Sequence, residues 1–369
     1  MNGGNGEQYP EISTPIVFTA NQQEDETVTR AEALENYATT FTVYGYKNMS
    51  YESENGYGDL QTVFPGYTVN WTANSAYTTT TNTDGWEYVN QQLSGEEEQT
   101  IKYWDWSAKA YRFFGYTLGT ATADPATDPA TVTVATAATT VAFSSTVDAS
   151  SQATIDAAPY FSRLWFSDGN AAIYPDRQFG KPVQLQFLKP FARVRFMFTF
   201  VEGLSFGREK LKNISFHPTA TQGSSETPTI ATAGDVSVTY PLTGTQTTET
   251  WTTSPTTGIE ALTIDYYKEP DPAVTPEDNQ PTTWPNTPRN WYTVLPALTQ
   301  DSYTLEVAVV TDEKKTAVVP AEYMSWKPGY EYTYIFKITE GGSIELNSVN
   351  AAFTPWKTDK TAEHSVYNW

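Results

Sequence analysis

Ser205 is the side chain whose type and spacing most suggest covalent chemistry. It centres the pattern G-x-S-x-G in "GLSFG" (203–207), and His364 lies downstream with many acids between. A nucleophile elbow needs a strand-to-helix turn that strains the serine out over a sheet. Here the following "REKLKNISF" is short and has no apolar helical face, and no HGGG-type oxyanion loop is present, so a hairpin loop is the better reading. The two histidines, His217 and His364, stand far apart and outside any metal-ligand spacing, which makes both surface residues. The acid clusters "EDE" (24–26) and the three glutamates of 96–98 offer oxygen ligands for Ca²⁺ but lack the alternating Asp register, and read as solvated loops. No catalytic residue, metal or cofactor is expected.

Two further features carry recognition chemistry. Trp and Tyr cluster in "IKYWDWSAKAYRFF" (101–114) and "TTWPNTPRNWY" (282–292). Exposed, such rings stack on sugars, whereas buried they are ordinary sandwich-core residues with one polar end. Arg30 is the first basic residue of the chain, preceded only by Glu7, Glu11, Glu24, Asp25 and Glu26. A lone arginine on an acidic polar stretch is either a solvated loop residue or a cut site separating residues 1–30 from the rest.

The elements that position these residues are strands. Thr is the commonest residue, beside 24 Tyr, 18 Phe and 11 Trp, a composition suited to half-buried pleated surfaces. Period-two alternation recurs in "FTVYGY" (41–46), "YRFFGYTL" (111–118), "VQLQF" (183–187), "ARVRFMF" (192–198), "YTLEVAVV" (303–310) and "YEYTYIFKI" (330–338). A final pair, "SIELNSV" and "AAFTPW", follows. "RAEALENYA" (30–38) and "SSQATIDAAPYF" (150–161) are the helical candidates, each too short to cover a parallel sheet. The repeat-bearing "DPATDPATVTVATAATT" (124–140) reads as an exposed loop. Short strands between Gly/Pro/Asn turns predict an all-β protein of two tandem β-sandwich domains.

Length and charge divide the chain. At 369 residues two domains are expected, and the acid excess is uneven: 22 Asp and Glu against 7 Lys and Arg in 1–180, but 21 against 15 in 181–369. The expected units are a tether and strand (1–30), an N-terminal domain (31–180) and a C-terminal domain (181–369) whose closing strands and tail occupy 344–369. A formal net charge of −21 repels phosphate backbones and excludes nucleic acid as a partner. There is no cysteine, so disulfides and thiolate chemistry are excluded, and no apolar run long enough for a transmembrane helix. The polar opening "MNGGNGEQYP" suggests the tether of an exported protein shown without its targeting segment.

Taken in order, several stretches resemble the fimbrillin-like family of Bacteroidales surface proteins, the major and minor fimbrial subunits and related cell-surface adhesins. They are the strand "IVFTA", Thr29-Arg30, "FTVYGY", the aromatic segment Trp106–Tyr116 and the strand of Phe187, Lys189, Ala192, Val194 and Phe196. The series ends with "WKPGYEYTYIFKI" and "IELNSVNAAFTPW". Lys189 departs from the His common at its place. The resemblance implies transthyretin-like Greek-key sandwiches, export as a lipoprotein to the outer membrane and cell surface, and assembly into a fimbrium or pilus with other subunits. It also implies cleavage by an Arg-specific protease after Thr29-Arg30, loss of the strand containing Ile16, Val17 and Phe18, and donor strand exchange into the vacated groove. Donor candidates are Ile344, Leu346, Val349, Phe353 and Trp356, or the tail beyond. Membrane contact is expected only through a lipid anchor on the precursor, and a host or bacterial receptor or glycan is a further possible partner. The alternative expectation is a glycan-binding surface lipoprotein.

Overall fold

Alternating apolar and polar side chains bury one face of a strand and hydrate the other, and this pattern organises the molecule. The computed structural model describes residues 14–22, 38–72, 85–89, 99–119, 131–200, 211–219, 227–264, 291–297, 302–309, 313–339 and 343–353. In chain order these form β1 (Phe18–Gln22), β2 (Thr40–Glu52), β3 (Gly56–Thr72), β4 (Gly85–Glu87), β5 (Ala110–Thr117), β6 (Thr133–Thr136), β7 (Thr140–Asp148), α1 (Gln152–Ala157), β8 (Tyr160–Ser162), β9 (Trp165–Ser167) and β10 (Val183–Leu188). The second half supplies β11 (Ala192–Phe200), β12 (Leu211–Pro218), β13 (Ile230–Pro241), β14 (Thr250–Ile259), β15 (Leu262–Ile264), β16 (Tyr292–Val294), β17 (Tyr303–Val309), β18 (Lys314–Val319), β19 (Tyr330–Ile338) and β20 (Ile344–Phe353). The protein is all-β, built of sheets packed face to face.

The N-terminal sheet has the order β2-β3-β4-β1-β10-β8-β5-β9, and β2 also pairs with β5. Seven of its strands therefore form a closed hydrogen-bonded circuit around Phe18, Phe41, Val43, Phe64, Trp86, Tyr88, Phe113, Leu185 and Phe187. Gly45 makes room for that aromatic interior. A Cβ there would lie 2.6 Å from the Phe64 ring and 2.8 Å from Phe113. In the C-terminal half two four-stranded sheets, β16-β11-β19-β20 and β15-β12-β17-β18, enclose a core that includes Phe196, Phe216, Trp326, Tyr334 and Phe336. Trp326 and Tyr334 are buried with their polar ends satisfied: the indole donates to the Tyr334 hydroxyl at 2.7 Å, which donates to the Tyr323 carbonyl.

A fourth sheet, β14-β13-β7-β6, mixes strands from both halves. Its apolar face lies against the outside of the N-terminal circuit, where Phe114 stacks on Tyr240 at 4.0 Å. Arg112, fully buried, donates to Asn48 Oδ1 and to the carbonyls of Pro241 and Gln246, while its guanidinium lies 4.7 Å from the Phe166 ring centroid. Burial lowers its pKa to about 10. Tyr57 and Gly244 exchange backbone hydrogen bonds, and Asn48 Nδ2 donates to the Leu242 carbonyl.

Some local expectations shift. The segment 124–140, expected to be an exposed loop, supplies β6, because Val134 finds apolar partners beneath it. The final pair is one strand along the described residues, β20, with an irregularity opposite Ile335–Phe336. α1 falls within 150–161 and is held by a reciprocal cap between Ser151 and Thr154. The candidate helix at 30–38 lies outside the described residues except for Ala38.

Candidate functional site: the slot of the N-terminal strand

Residues 14–22 run through the N-terminal sheet between two walls. On one side β1 pairs in parallel with β10, from Phe18 opposite Val183 to Gln22 opposite Phe187, and Val183 N donates to the Val17 carbonyl at 2.8 Å. On the other side Phe18 pairs with Trp86, Ile16 N donates to the Lys102 carbonyl at 2.8 Å, and Trp104 N donates to the Thr14 carbonyl at 3.0 Å. Main-chain bonds thus grip the segment from both edges.

Alternation sets what the side chains do. Ile16, Phe18 and Ala20 point into the circuit and are buried, Val17 is half-buried and Thr19 is exposed. Phe18 sits in a cage of rings: Phe64 at 5.1 Å, Tyr88 and Phe113 at 5.9 Å and Phe41 at 6.2 Å, all edge-to-face. That arrangement places ring edges against ring faces, the favoured quadrupole geometry.

Buried polar groups stiffen the wall formed by β3, β4 and 99–104. The Tyr88 hydroxyl donates to the Ile16 carbonyl at 2.8 Å and accepts from Lys102 N at 3.1 Å. Burial pushes this phenol well above its ordinary pKa, so it stays a donor. Gln99 stands in for a missing strand. Its amide accepts from Thr68 N and donates to the carbonyls of Thr68 and Tyr88. Glu87, also buried, accepts from the backbone N–H groups of Tyr88 and Val89. Neither Tyr88 nor Gln99 carries a local sequence signal for this role, since "GWEYV" and "EEEQT" resemble any strand end and polar loop.

The other candidates are dispersed. Thr29 and Arg30 lie outside the described residues, as do Ser205, His364, residues 24–26 and 96–98, and Trp356. Ile344, Leu346, Val349 and Phe353 belong to β20, whose ladder partner is β19, with Tyr330 opposite Phe353. Ile344 is buried and Leu346 and Val349 half-buried, so the structure does not bring the donor candidates to β1. His217 is partly exposed on β12, with Nε2 3.8 Å from Glu306 Oε1. Among the described residues no three His, Asp or Glu converge as a metal site. Lys189 is buried, donating to the carbonyls of Asp156 (2.9 Å) and Ala158 and lying 4.1 Å from the Tyr160 ring centroid. Of the aromatic clusters, Trp104, Tyr111, Phe113 and Phe114 are core residues, whereas Trp106 and Tyr103 are 61% and 45% exposed.

No protein-family profile matches this chain, and no curated protein matches it in sequence. Among solved structures it is similar to a fimbrial protein from Bacteroides vulgatus, at 15% identity and TM-score 0.38, covering 92% of this chain and 99% of that one. It is similar also to the tip fimbrial protein Mfa3 from Porphyromonas gingivalis with C-terminal truncation, at 8% identity and TM-score 0.36, covering 92% and 100%. A candidate cell adhesion protein from Bacteroides uniformis gives 15% identity and TM-score 0.34, covering 92% and 97%. The structural neighbours are thus fimbrial and adhesion proteins of Bacteroidales. Likeness of this size carries no functional argument, which falls instead on the slot. Among the described residues no helix is long and apolar enough to cross a membrane.

Proposed function

We propose that this chain is a structural subunit of a surface fimbria, or a related cell-adhesion protein, without chemistry of its own. Cleavage after Arg30 by an Arg-specific protease would free the β1 strand, and a strand of a neighbouring subunit would replace it. One observation carries the reading: the segment just before Thr29-Arg30 is an interior strand of the sheet, bonded on both edges and buried through Ile16, Phe18 and Ala20. Interior placement is what a removable strand requires, because its loss opens an apolar cleft and a row of unpaired N–H and C=O groups that template a new strand. Cleavage also changes the competition. Before the cut, the tether keeps β1 at a high effective concentration beside its slot, and after it β1 is an exchangeable peptide.

The same proposal places the protein on the cell surface through a lipid anchor on its precursor. It takes 31–180 and 181–369 as two sandwich units, with β10 and the β13–β14 hairpin of the second lent to sheets of the first. The test is Arg30→Ala, which should leave the fold and its unfolding midpoint unchanged and abolish assembly. Polymerisation of that variant at the parental rate would sink the reading. Exposed Trp106 and Tyr103 on one short stretch favour a second reading, glycan binding. It requires that the uncut monomer bind polysaccharide and that Trp106→Ala abolish binding.

A further inference from the structure

We infer that Tyr51 and Tyr57, at the tip of the β2–β3 hairpin, form a site of oxidative modification, where a heme peroxidase and hydrogen peroxide join the two rings as dityrosine. The site involves neither β1 nor Arg30, so its test is independent of strand exchange. Tyr51 and Tyr57 are direct partners in the antiparallel ladder, and their ring centroids lie 4.8 Å apart at 48°. Tyr51 is 55% exposed, so an oxidant in solvent reaches it. Tyr57 is anchored. Its backbone exchanges hydrogen bonds with Gly244, its ring packs on Phe166 at 5.3 Å, and its hydroxyl donates to Asp168 Oδ2 at 3.0 Å. A free ring therefore faces a fixed one across neighbouring strands, where directly opposed side chains touch. Two other tyrosine pairs are wider and each has a buried member: Tyr67 with Tyr88 at 6.0 Å, and Tyr330 with Tyr332 at 6.4 Å.

The surroundings of Tyr57 favour loss of an electron and a proton together over loss of an electron alone. The Arg112 guanidinium lies 5.8 Å from its ring centroid, and a positive charge there opposes a ring cation. Asp168, at the far end of the hydroxyl bond, takes the proton as the electron leaves. The peroxidase removes both electrons through exposed Tyr51, one of them drawn from Tyr57 across the ring contact, and Tyr51 gives its own proton to water. The two phenoxyl radicals couple through the ring carbons ortho to oxygen. One C–C bond forms, and the hydrogen on each of those carbons moves to its phenolic oxygen. The chain loses two hydrogen atoms in all, and one hydrogen peroxide is reduced to two waters. The product ties β2 to β3 covalently where the hairpin meets the fourth sheet at Gly244.

The experiment treats the full chain, at dilution, with a heme peroxidase and hydrogen peroxide. The monomer is isolated by gel filtration and digested with a Glu-specific protease. Glu52 and Glu54 lie between the two tyrosines, so Tyr51 and Tyr57 leave on separate peptides unless joined. The expected result is dityrosine fluorescence and one joined peptide pair, lighter by two hydrogen atoms than its separate members. Tyr51→Phe, which cannot form a phenoxyl radical, should lose that species, while Tyr103→Phe, at another exposed ring, should keep it. Asp168→Asn still accepts the hydrogen bond but takes no proton, and should slow coupling by ~100-fold, the lower end of what a positioned proton acceptor supplies. An unchanged rate in that variant overturns the role of Asp168. Parental fluorescence in monomeric Tyr51→Phe, joining of other tyrosines instead, or coupling of Tyr51 only between chains overturns the site.

Discussion

Replacing Phe18 with alanine in the uncut protein should cost about 3–5 kcal/mol of stability, the range for deleting an enclosed phenylalanine. The structure argues for the upper part of that range. Phe18 is 3% exposed, and four rings approach it between 5.1 and 6.2 Å, so the cavity has rigid walls that cannot easily collapse. Urea denaturation followed by tryptophan fluorescence measures the loss directly, because Trp86 and Trp104 share the core with Phe18. Thr19→Ala, one residue along and exposed, is the internal control and should stay within about 0.5 kcal/mol of the parent. A Phe18→Ala loss below about 1 kcal/mol would refute the seating of β1 in the core, and with it the claim that its removal opens a cleft.

Three further outcomes follow from buried and paired charges. Burial lowers the Lys189 pKa from 10.5 to about 7, so the unfolded chain binds more protons between those values and stability should rise with pH from 7 to 9. That rise, at most ~1.4 kcal/mol per pH unit, should vanish from the pH-dependent unfolding curves of Lys189→Met. Hydrogen bonds from Lys47 and Ser107 lower the Asp105 carboxyl to about 2, so its stabilisation is present above pH 4 and lost as pH falls towards 2. Lys47→Met should weaken that acid dependence in the same titration. Arg112→Met removes the donors to Pro241 O and Gln246 O, and hydrogen exchange should quicken across 241–246 while β1 stays protected. Unchanged exchange there would show that the stacked Phe114 and Tyr240 rings hold the layers without it.

Most of the strands were legible because each alternation is a local property: 183–187, 192–198 and 330–338 fall within observed strands, and 303–309 of the segment 303–310 is β17. Partnership was not, because nothing local says that Phe18–Gln22 lies parallel to Val183–Phe187, more than 160 residues away. The join between β13 and β7 escaped for the same reason, and β6 was hidden by low-complexity sequence in which Val132 and Val134 supply the apolar anchors among the described residues. Lys189 shows the limit of residue type. A lysine in a strand-rich stretch reads as surface, yet two carbonyls and a tyrosine ring give it a buried place. At the slot, the apolar triplet at 16–18 pointed to a strand with a buried face. The walls contributed by Tyr88 and Gln99 came from loops whose roles are set by tertiary contact.

Limited digestion with an Arg-specific protease tests the central claim most directly, read by N-terminal sequencing and by sizing on a gel without boiling. The account predicts a single early cut after Arg30, release of the fragment that carries Ile16, Val17 and Phe18, and new high-mass species that resist detergent. Resistance at Arg30 while other arginines are cut first, or a cut that leaves residues 1–30 bound and the protein monomeric, would contradict it.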